Sequence, residues 1–334
     1  MALNQKRAQW YLQRFSSSLI ESSGKFKVRL NDGAHFYPEF AYLCPLCLKS
    51  MFVYLPKEAL LSWTNDFTLD HLPPESVGGR DTVLVCKDCN SKAGSNYDYS
   101  IKEFLKHDAV IKRKKNSKVN IKASFKGIPG SYNSGLSLTE KNELTFNVNT
   151  EKHPYIKGWL EEIKSNTNWE LKATVTIPEI KLVYKALLKS AYLFCFSVWG
   201  YSFIYSSTGS KIRGVLNNSE NHILENLGVF LSNSFELSAN RLILIQNNSS
   251  YDGFVVNMTL LEKESNHKVM ATILIPGNDS DSWENLSQFN PYLKDKVSLT
   301  FSGIEMIIDY KHPINQNSYQ KDWEDIKKGN IKKR

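Results

Sequence analysis

The chain lacks an uncharged hydrophobic run long enough to cross a membrane. Its longest uncharged apolar stretch, Ser190 to Tyr205, is shorter than the roughly 20 residues that a membrane-spanning helix needs. The first residues, Met1 to Arg14, are polar and charged, so the start has no secretory signal. We therefore expect a cytoplasmic protein without a membrane partner.

Cysteine and acidic residues are also scarce. Only 5 cysteines occur among 334 residues, too few for a disulfide-stabilised secreted scaffold. The 34 acidic residues are outnumbered by 42 Lys and Arg, which leaves a net charge of +8. This excess favours nucleic acid or another anionic partner, and a lysine-rich protein with no special partner is the alternative.

What is present indicates a folded protein of mixed class. With 41% hydrophobic residues the chain can bury a large core. We predict an α+β fold divided into residues 1–125 and 126–334, the second ending in a basic tail at 327–334. Helices are predicted at 6–20, 155–163, 180–199, 211–216 and 222–231, and strands at 83–85, 241–245, 254–261, 269–275 and 297–308. The strands at 254–261 and 269–275 should form a hairpin, as part of a mainly antiparallel sheet.

Four of the cysteines form two Cys-x-x-Cys pairs, Cys44 with Cys47 and Cys86 with Cys89. Two such pairs complete the tetrahedral thiolate set of a structural zinc ion. Free thiols are the alternative. The 38 residues between the pairs exceed an ordinary zinc-ribbon spacing, so another element is inserted there. Cys195 stands alone in an apolar helix and is predicted to be an inert core residue.

The insert contains Asp70-His71, Pro73-Pro74 and Gly78-Gly79, and Asn90 follows the last cysteine. With the two Cys-x-x-Cys pairs, this stretch resembles the zinc-containing branch of the HNH endonucleases over residues 44 to 100. The resemblance implies a ββα-metal module, a β-hairpin followed by a helix around one catalytic metal, with a larger α+β domain behind it.

The resemblance also implies roles for individual residues. His71 matches the general base, while Asp70 and Asn90 match the ligands of a divalent cation, Mg²⁺ or Mn²⁺. Asp81 stands where the family has an asparagine that braces the loop of the base. A histidine can accept the proton of an attacking water, and a hard cation neutralises charge on the phosphate. Because neighbours on a strand face opposite ways, Asp70 and His71 share a site only if the hairpin is irregular.

Basic residues near this stretch are candidates for contact with nucleic acid. Lys92 follows Asn90 closely, and Lys112, Arg113, Lys114 and Lys115 form a run. Solvated surface is the alternative for each. Lys181, Lys185 and Lys189 form a stripe at a spacing of four, predicted to be the solvated face of a helix, with contact to phosphate as the alternative.

Together these features predict a metal-dependent endonuclease that cleaves DNA, in the setting of bacterial restriction or anti-phage defence. A non-catalytic zinc-ribbon protein that binds nucleic acid is the first alternative, and an HNH ribonuclease is the second. The expected partners are DNA, with RNA possible, and either a second copy in a homodimer or a protein of a defence system.

Overall fold

A computed structural model provides the structure of the chain. The structure describes residues 5–24, 28–29, 35–36, 38–55, 60–63, 66–126, 130–141, 143–148, 157–158, 170–218, 228–232, 241–248, 251–277 and 303–307.

The described residues form an α+β fold, as predicted. The helices are α1 (Gln5–Ser23), α2 (Lys87–Ala93), α3 (Tyr99–Ile111), α4 (Ile180–Trp199), α5 (Tyr201–Ile204) and α6 (Ser207–Leu216). A short 3-10 helix spans Glu75–Val77, and a π-helical turn, Gly94–Asp98, connects α2 to α3.

The strands form antiparallel sheets. Two small ones pair β1 (Val28–Arg29) with β2 (His35–Phe36), and β3 (Ala41–Leu43) with β4 (Met51–Leu55) and β5 (Leu60–Trp63). A hairpin pairs β6 (Phe67–Leu72) with β7 (Asp81–Cys86). A four-stranded sheet has the order β10-β9-β8-β11, formed by β8 (Lys118–Phe125), β9 (Tyr132–Leu138), β10 (Leu144–Val148) and β11 (Leu171–Val175). A five-stranded sheet has the order β12-β15-β14-β13-β16, formed by β12 (Val229–Ser232), β13 (Arg241–Asn248), β14 (Tyr251–Glu262), β15 (His267–Pro276) and β16 (Gly303–Ile307).

Helix α4 is the centre of the core. By length and composition it is apolar enough to cross a membrane, yet 94% of its most apolar window is buried inside the protein, as in the core helix of a globular fold. It ends at Gly200, whose φ of +61° suits a residue without a Cβ. One hydrophobic cluster joins α1, the region of the paired cysteines, α4 and the five-stranded sheet. The N-terminal third and the C-terminal sheet therefore share a core.

Many of the predicted elements are confirmed. Helices α1, α4 and α6 cover the predicted helical segments 6–20, 180–199 and 211–216, and β14 and β15 form the predicted hairpin. Strand β7 contains the segment predicted at 83–85, and β13 the one at 241–245. Of the strand predicted at 297–308, residues 303–307 are described and form β16.

Other predictions are wrong or fall elsewhere. The end of the helix predicted at 222–231 is strand β12, and residues 219–227 lie outside the described part. The four-stranded sheet was not anticipated. The predicted boundary at 125/126 falls in the turn between β8 and β9, which pair with each other, and the division into two domains stays a prediction. Most of the helix predicted at 155–163 and the whole basic tail at 327–334 lie outside the described residues.

Candidate metal centre and its carboxylate cluster

The four paired cysteines converge on one point. The Sγ atoms of Cys44, Cys47, Cys86 and Cys89 all lie within 4.8 Å of one another, and those of Cys47 and Cys86 are 3.9 Å apart. A tetrahedral zinc ion with Zn–S bonds of about 2.3 Å separates its sulfur ligands by about 3.8 Å. The four thiols can therefore hold a metal ion such as zinc, with every coordination position filled by sulfur.

Local backbone geometry explains how each pair reaches this point. The first pair lies in the turn between β3 and β4, closed by a hydrogen bond from Leu48 N to Cys44 O at 2.9 Å. The amide of Lys49 donates to Cys47 Sγ at 3.4 Å. In the second pair, Cys86 ends β7 and Cys89 lies in the first turn of α2. Hydrogen bonds from the neighbouring thiols, that of Cys44 first, lower the pKa of Cys47.

Two buried tyrosines attach this centre to the core. The hydroxyl of Tyr42 on β3 donates to Leu84 O on β7 at 2.6 Å, which ties the two halves of the cysteine set together. The hydroxyl of Tyr192 on α4 donates to Pro45 O at 2.8 Å. The first Cys-x-x-Cys turn is therefore held by the central helix.

The hairpin between the cysteine pairs carries Asp70 and His71 on adjacent positions of β6. Its register is regular from Phe67 opposite Cys86 to Leu72 opposite Asp81. No bulge turns the two side chains to one face, so they point to opposite sides of the hairpin. Asp70 is buried and His71 is half-buried. The irregularity that would place both in one site is not found in this ladder.

On its buried side Asp70 meets a lysine from α4. Lys189 Nζ lies 2.8 Å from Asp70 Oδ2 and 2.6 Å from Oδ2 of Asp98 in the π-helical turn. The Lys189 side chain is fully buried, and that of Asp70 is 5% exposed. Three ionisable groups from three elements thus form one cluster, named below the carboxylate cluster (Asp70, Asp98, Lys189).

The electrostatics of this cluster favour a charged lysine. Burial lowers the pKa of Lys189, but attraction to Asp70 and Asp98 raises it by more, so the ammonium stays protonated. Burial raises the pKa of Asp98. Asp98 Oδ1 is buried and has no hydrogen-bond partner. One ammonium therefore faces two carboxyl groups, and one carboxyl oxygen is left unpaired.

The structure places the remaining predicted site residues around this centre. Asn90 is half-buried in α2, and neither Asn90 nor His71 forms a side-chain hydrogen bond with Asp70 among the described residues. Asp81 is described only by its backbone, which pairs with Leu72, so the predicted role of its side chain lies outside the described part. Lys92 is exposed on α2.

The basic run follows the end of α3. Lys112 is the C-cap residue of that helix and forms an ion pair with Asp108 at 3.0 Å. Arg113, Lys114 and Lys115 are exposed in the turn before β8. Contact between these residues and nucleic acid therefore stays a prediction.

The lysine stripe on α4 is a correction. It was predicted to be a solvated face, but Lys185 is 5% and Lys189 0% exposed, and only Lys181 is exposed. Lys185 donates a hydrogen bond to Asn218 Oδ1, and its ammonium lies 5.5 Å from the centre of the Tyr97 ring. The stripe is internal from Lys185 onwards because α4 is buried there, so Lys185 pairs with Asn218 and Lys189 with Asp70 and Asp98.

Sequence reasoning missed Asp98 and Lys189 as members of the site. A signal existed for Lys189, since a lysine within the most apolar helix of the chain needs an anionic partner once that helix is buried. Asp98 carried no signal, because its position depends on the π-helical turn.

No protein-family model matches this chain, and no curated protein or solved structure matches it either.

Proposed function

We propose that the chain is a metal-dependent endonuclease of the HNH type that hydrolyses DNA. The observation that carries the proposal is the arrangement around the four cysteines. An Asp-His pair lies on a β-hairpin that ends in the second cysteine pair and continues directly into α2, which carries Asn90. This order of the elements along the chain is the one that the resemblance to HNH endonucleases implies.

In this proposal His71 is the general base. It is half-buried, so a water molecule can approach its ring from solvent. The role of Asp81, bracing the loop of the base, is the one that the resemblance implies. Lys92 and the run from Lys112 to Lys115 contact the phosphates of the DNA backbone.

Asp70 and Asn90 supply oxygen donors of the kind that Mg²⁺ or Mn²⁺ prefers. Such a cation supplies charge neutralisation at the phosphate when it is bound. The donor chemistry fits, but Asp70 Oδ2 is already engaged by Lys189 at 2.8 Å. A divalent cation at Asp70 therefore has to share the carboxylate with an ammonium or displace it. The zinc ion at the four cysteines is structural, since no coordination position is open.

The setting of this activity follows the same proposal. We propose a cytoplasmic enzyme of bacterial restriction or anti-phage defence. A single HNH module cuts one strand, so a homodimer or a partner protein of the defence system would provide the second cut.

A non-catalytic zinc protein that binds nucleic acid is the second candidate, and one observation favours it. Lys189 neutralises Asp70 in the core, and His71 points to the other side of the hairpin. Both features suit a scaffold whose carboxylate serves folding rather than chemistry. An HNH ribonuclease is a variant of the first candidate, because the phosphodiester chemistry is shared.

The test compares four versions of the purified protein with supercoiled plasmid and either Mg²⁺ or Mn²⁺. These are the native chain, His71→Ala, Asn90→Ala and the control Glu75→Ala, an exposed residue on the 3-10 turn beside the hairpin. We expect nicking by the native chain and the control, and a loss of at least about a hundredfold for His71→Ala.

Nicking that persists in His71→Ala contradicts the assignment of the base. Absence of cleavage with either metal, together with retained binding of nucleic acid, selects the non-catalytic candidate. Single-stranded RNA in the same assay separates the ribonuclease from the deoxyribonuclease.

A further inference from the structure

A second feature of the molecule lies beside the carboxylate cluster. A cleft of about 1030 Å³ separates α3 from the four-stranded sheet. Its wall on the helix side begins at Tyr99, the residue after Asp98 of the carboxylate cluster. The volume of the cleft lies at the upper end of the roughly 300–1,000 Å³ of a typical small-molecule pocket, and the cleft is partly open to solvent.

The sheet wall of the cleft is polar and basic. Strand β8 alternates strictly, so that Lys118, Asn120 and Lys122 are exposed while Val119 and Ile121 are buried. The three exposed residues line the cleft. On the neighbouring strand Asn133 pairs with Lys122, and Gly135 pairs with Asn120. Asn147 of β10 also lines the cleft, so three side-chain amides, those of Asn120, Asn133 and Asn147, lie along the sheet wall.

The helix wall adds an aromatic ring. Tyr99 is 50% exposed, an unusual state for a large side chain at the mouth of a cavity. Ile177 lines the same cleft and is 72% exposed. An exposed ring next to lysines is the combination that single-stranded nucleic acid uses, since bases stack on the ring and phosphates contact the ammonium groups.

Two carboxylates also line the cleft and offset part of the positive charge of its lysines. Glu103 forms an ion pair with Lys106 at 2.9 Å, so its charge is compensated. Glu179 is exposed at the start of α4. His107, buried in the wall, has its pKa lowered chiefly by burial and is neutral near pH 7.

We propose that this cleft binds a single strand of nucleic acid. Tyr99 stacks on a base, Lys118 and Lys122 contact phosphates, and the side chains of Asn120, Asn133 and Asn147 bond to base edges, because an amide both donates and accepts hydrogen bonds. The proposal rests on the proposed function in one respect: the bound strand is part of the nucleic acid on which the protein acts. Binding itself needs no cleavage.

The experiment measures binding in a cleavage-deficient background. His71→Ala protein, with no added divalent cation, is titrated into a labelled oligonucleotide of about twelve nucleotides, and fluorescence anisotropy gives Kd. Single-stranded DNA, single-stranded RNA and duplex DNA of the same sequence are compared. The variants are Tyr99→Ala, Tyr99→Phe and the double change Lys118→Glu with Lys122→Glu. A charge-matched control changes Lys126 and Lys141, exposed lysines outside the cleft, to Glu.

We expect the double cleft variant to weaken binding of a single strand by at least about tenfold and to lower the dependence of log Kd on log salt concentration by about 1.4. Tyr99→Ala should weaken binding by about tenfold, while Tyr99→Phe retains it. The control pair should change Kd by less than about threefold. The single strand that binds more tightly, DNA or RNA, identifies the ligand of the cleft.

Equal Kd values for the cleft variants and the control pair would overturn the proposal, as would preference for duplex DNA. The result of this binding experiment can be distinguished from the result of the cleavage assay. If cleavage depends on His71 but the cleft variants bind normally, the proposed function is supported and the cleft proposal is contradicted. If binding depends on the cleft but no cleavage occurs, the cleft proposal is supported and the proposed function is contradicted.

Discussion

Lys189 Nζ and Asp70 Oδ2, which are 119 residues apart in the chain, lie 2.8 Å from each other in the core. The contact joins the central helix α4 to the hairpin that carries the Asp-His pair. It also decides how Asp70 is used, because a fully buried ammonium cannot find water as a substitute partner. The same lysine reaches Asp98, so a single ammonium contacts both acidic groups.

Replacing this lysine should destabilise the fold strongly. In Lys189→Met the carboxylates of Asp70 and Asp98 stay buried without a cation, and we expect a loss of about 3–5 kcal/mol in the free energy of unfolding. Urea unfolding followed by far-UV circular dichroism measures it. Lys102→Met, an exposed position on α3, is the control and should change stability by less than about 0.5 kcal/mol.

A double-mutant cycle tests whether the effect comes from the pair itself. Asp70→Asn should be much less destabilising in the Lys189→Met background than in the native chain, because the charge it removes is then unpaired. Additive effects of the two changes would contradict the interpretation of this contact as a coupled ion pair.

The zinc content should depend on the four clustered cysteines and not on the fifth. Freshly purified protein is expected to contain one zinc ion per chain by plasma mass spectrometry. Cys47→Ser should lose most of it and unfold at lower temperature, because the binding energy of a structural zinc contributes directly to folding. Cys195→Ala is the matched control, since this thiol is buried in α4 away from the cluster. Full zinc in Cys47→Ser would show that the set is wrong.

The elements of the fold that have a clear hydrophobic pattern or a fixed residue spacing were predictable from sequence. Helix α4 was recognised from its apolar run, and β14 with β15 from two alternating segments around a polar turn. The cysteine set was recognised because metal ligands keep a fixed spacing. In each case the signal is local, so a single stretch of chain contains it.

What escaped prediction depends on contacts between distant segments. Lys189 has the sequence pattern of a surface residue, and only the covering of α4 by other elements makes it internal. The sheet of β8 to β11 was not predicted, because its exposed positions are Lys and Asn and its short strands are weak signals. Asp98 joins the site through a π-helical turn that no spacing rule anticipates.

Stability should depend on pH through His107. Burial lowers the pKa of this residue, so the folded state binds fewer protons than the unfolded state below about pH 6.5. The stabilising contribution is therefore complete above that value and declines as pH falls towards the folded-state pKa, with a slope of at most about 1.4 kcal/mol per pH unit. His107→Gln should reduce the difference in unfolding free energy between about pH 7 and about pH 5. An identical difference in the variant and in the native chain would contradict this.

Removing the charge of Lys189 should increase the affinity of the hairpin for a divalent cation. An ammonium and a metal ion compete for the same carboxylate, and a monovalent and a divalent cation about 4 Å apart repel each other by about 8 kcal/mol at an effective dielectric of 20. We therefore expect Lys189→Gln to bind Mn²⁺ at least about tenfold more tightly, measured by the electron paramagnetic resonance signal of the free ion. The amide of glutamine keeps a hydrogen bond to Asp70, which limits the loss of stability.

Adding Asp70→Asn to Lys189→Gln is the control, and it should abolish the gain, because the donor itself has lost its charge. The measurement does not need catalysis, so it distinguishes the two proposed functions directly. A gain that requires Asp70 means that the carboxylate accepts a metal ion once the lysine is neutralised, as the nuclease needs. Unchanged Mn²⁺ binding in Lys189→Gln means that Asp70 belongs to the core alone, and the non-catalytic zinc protein is then the better description.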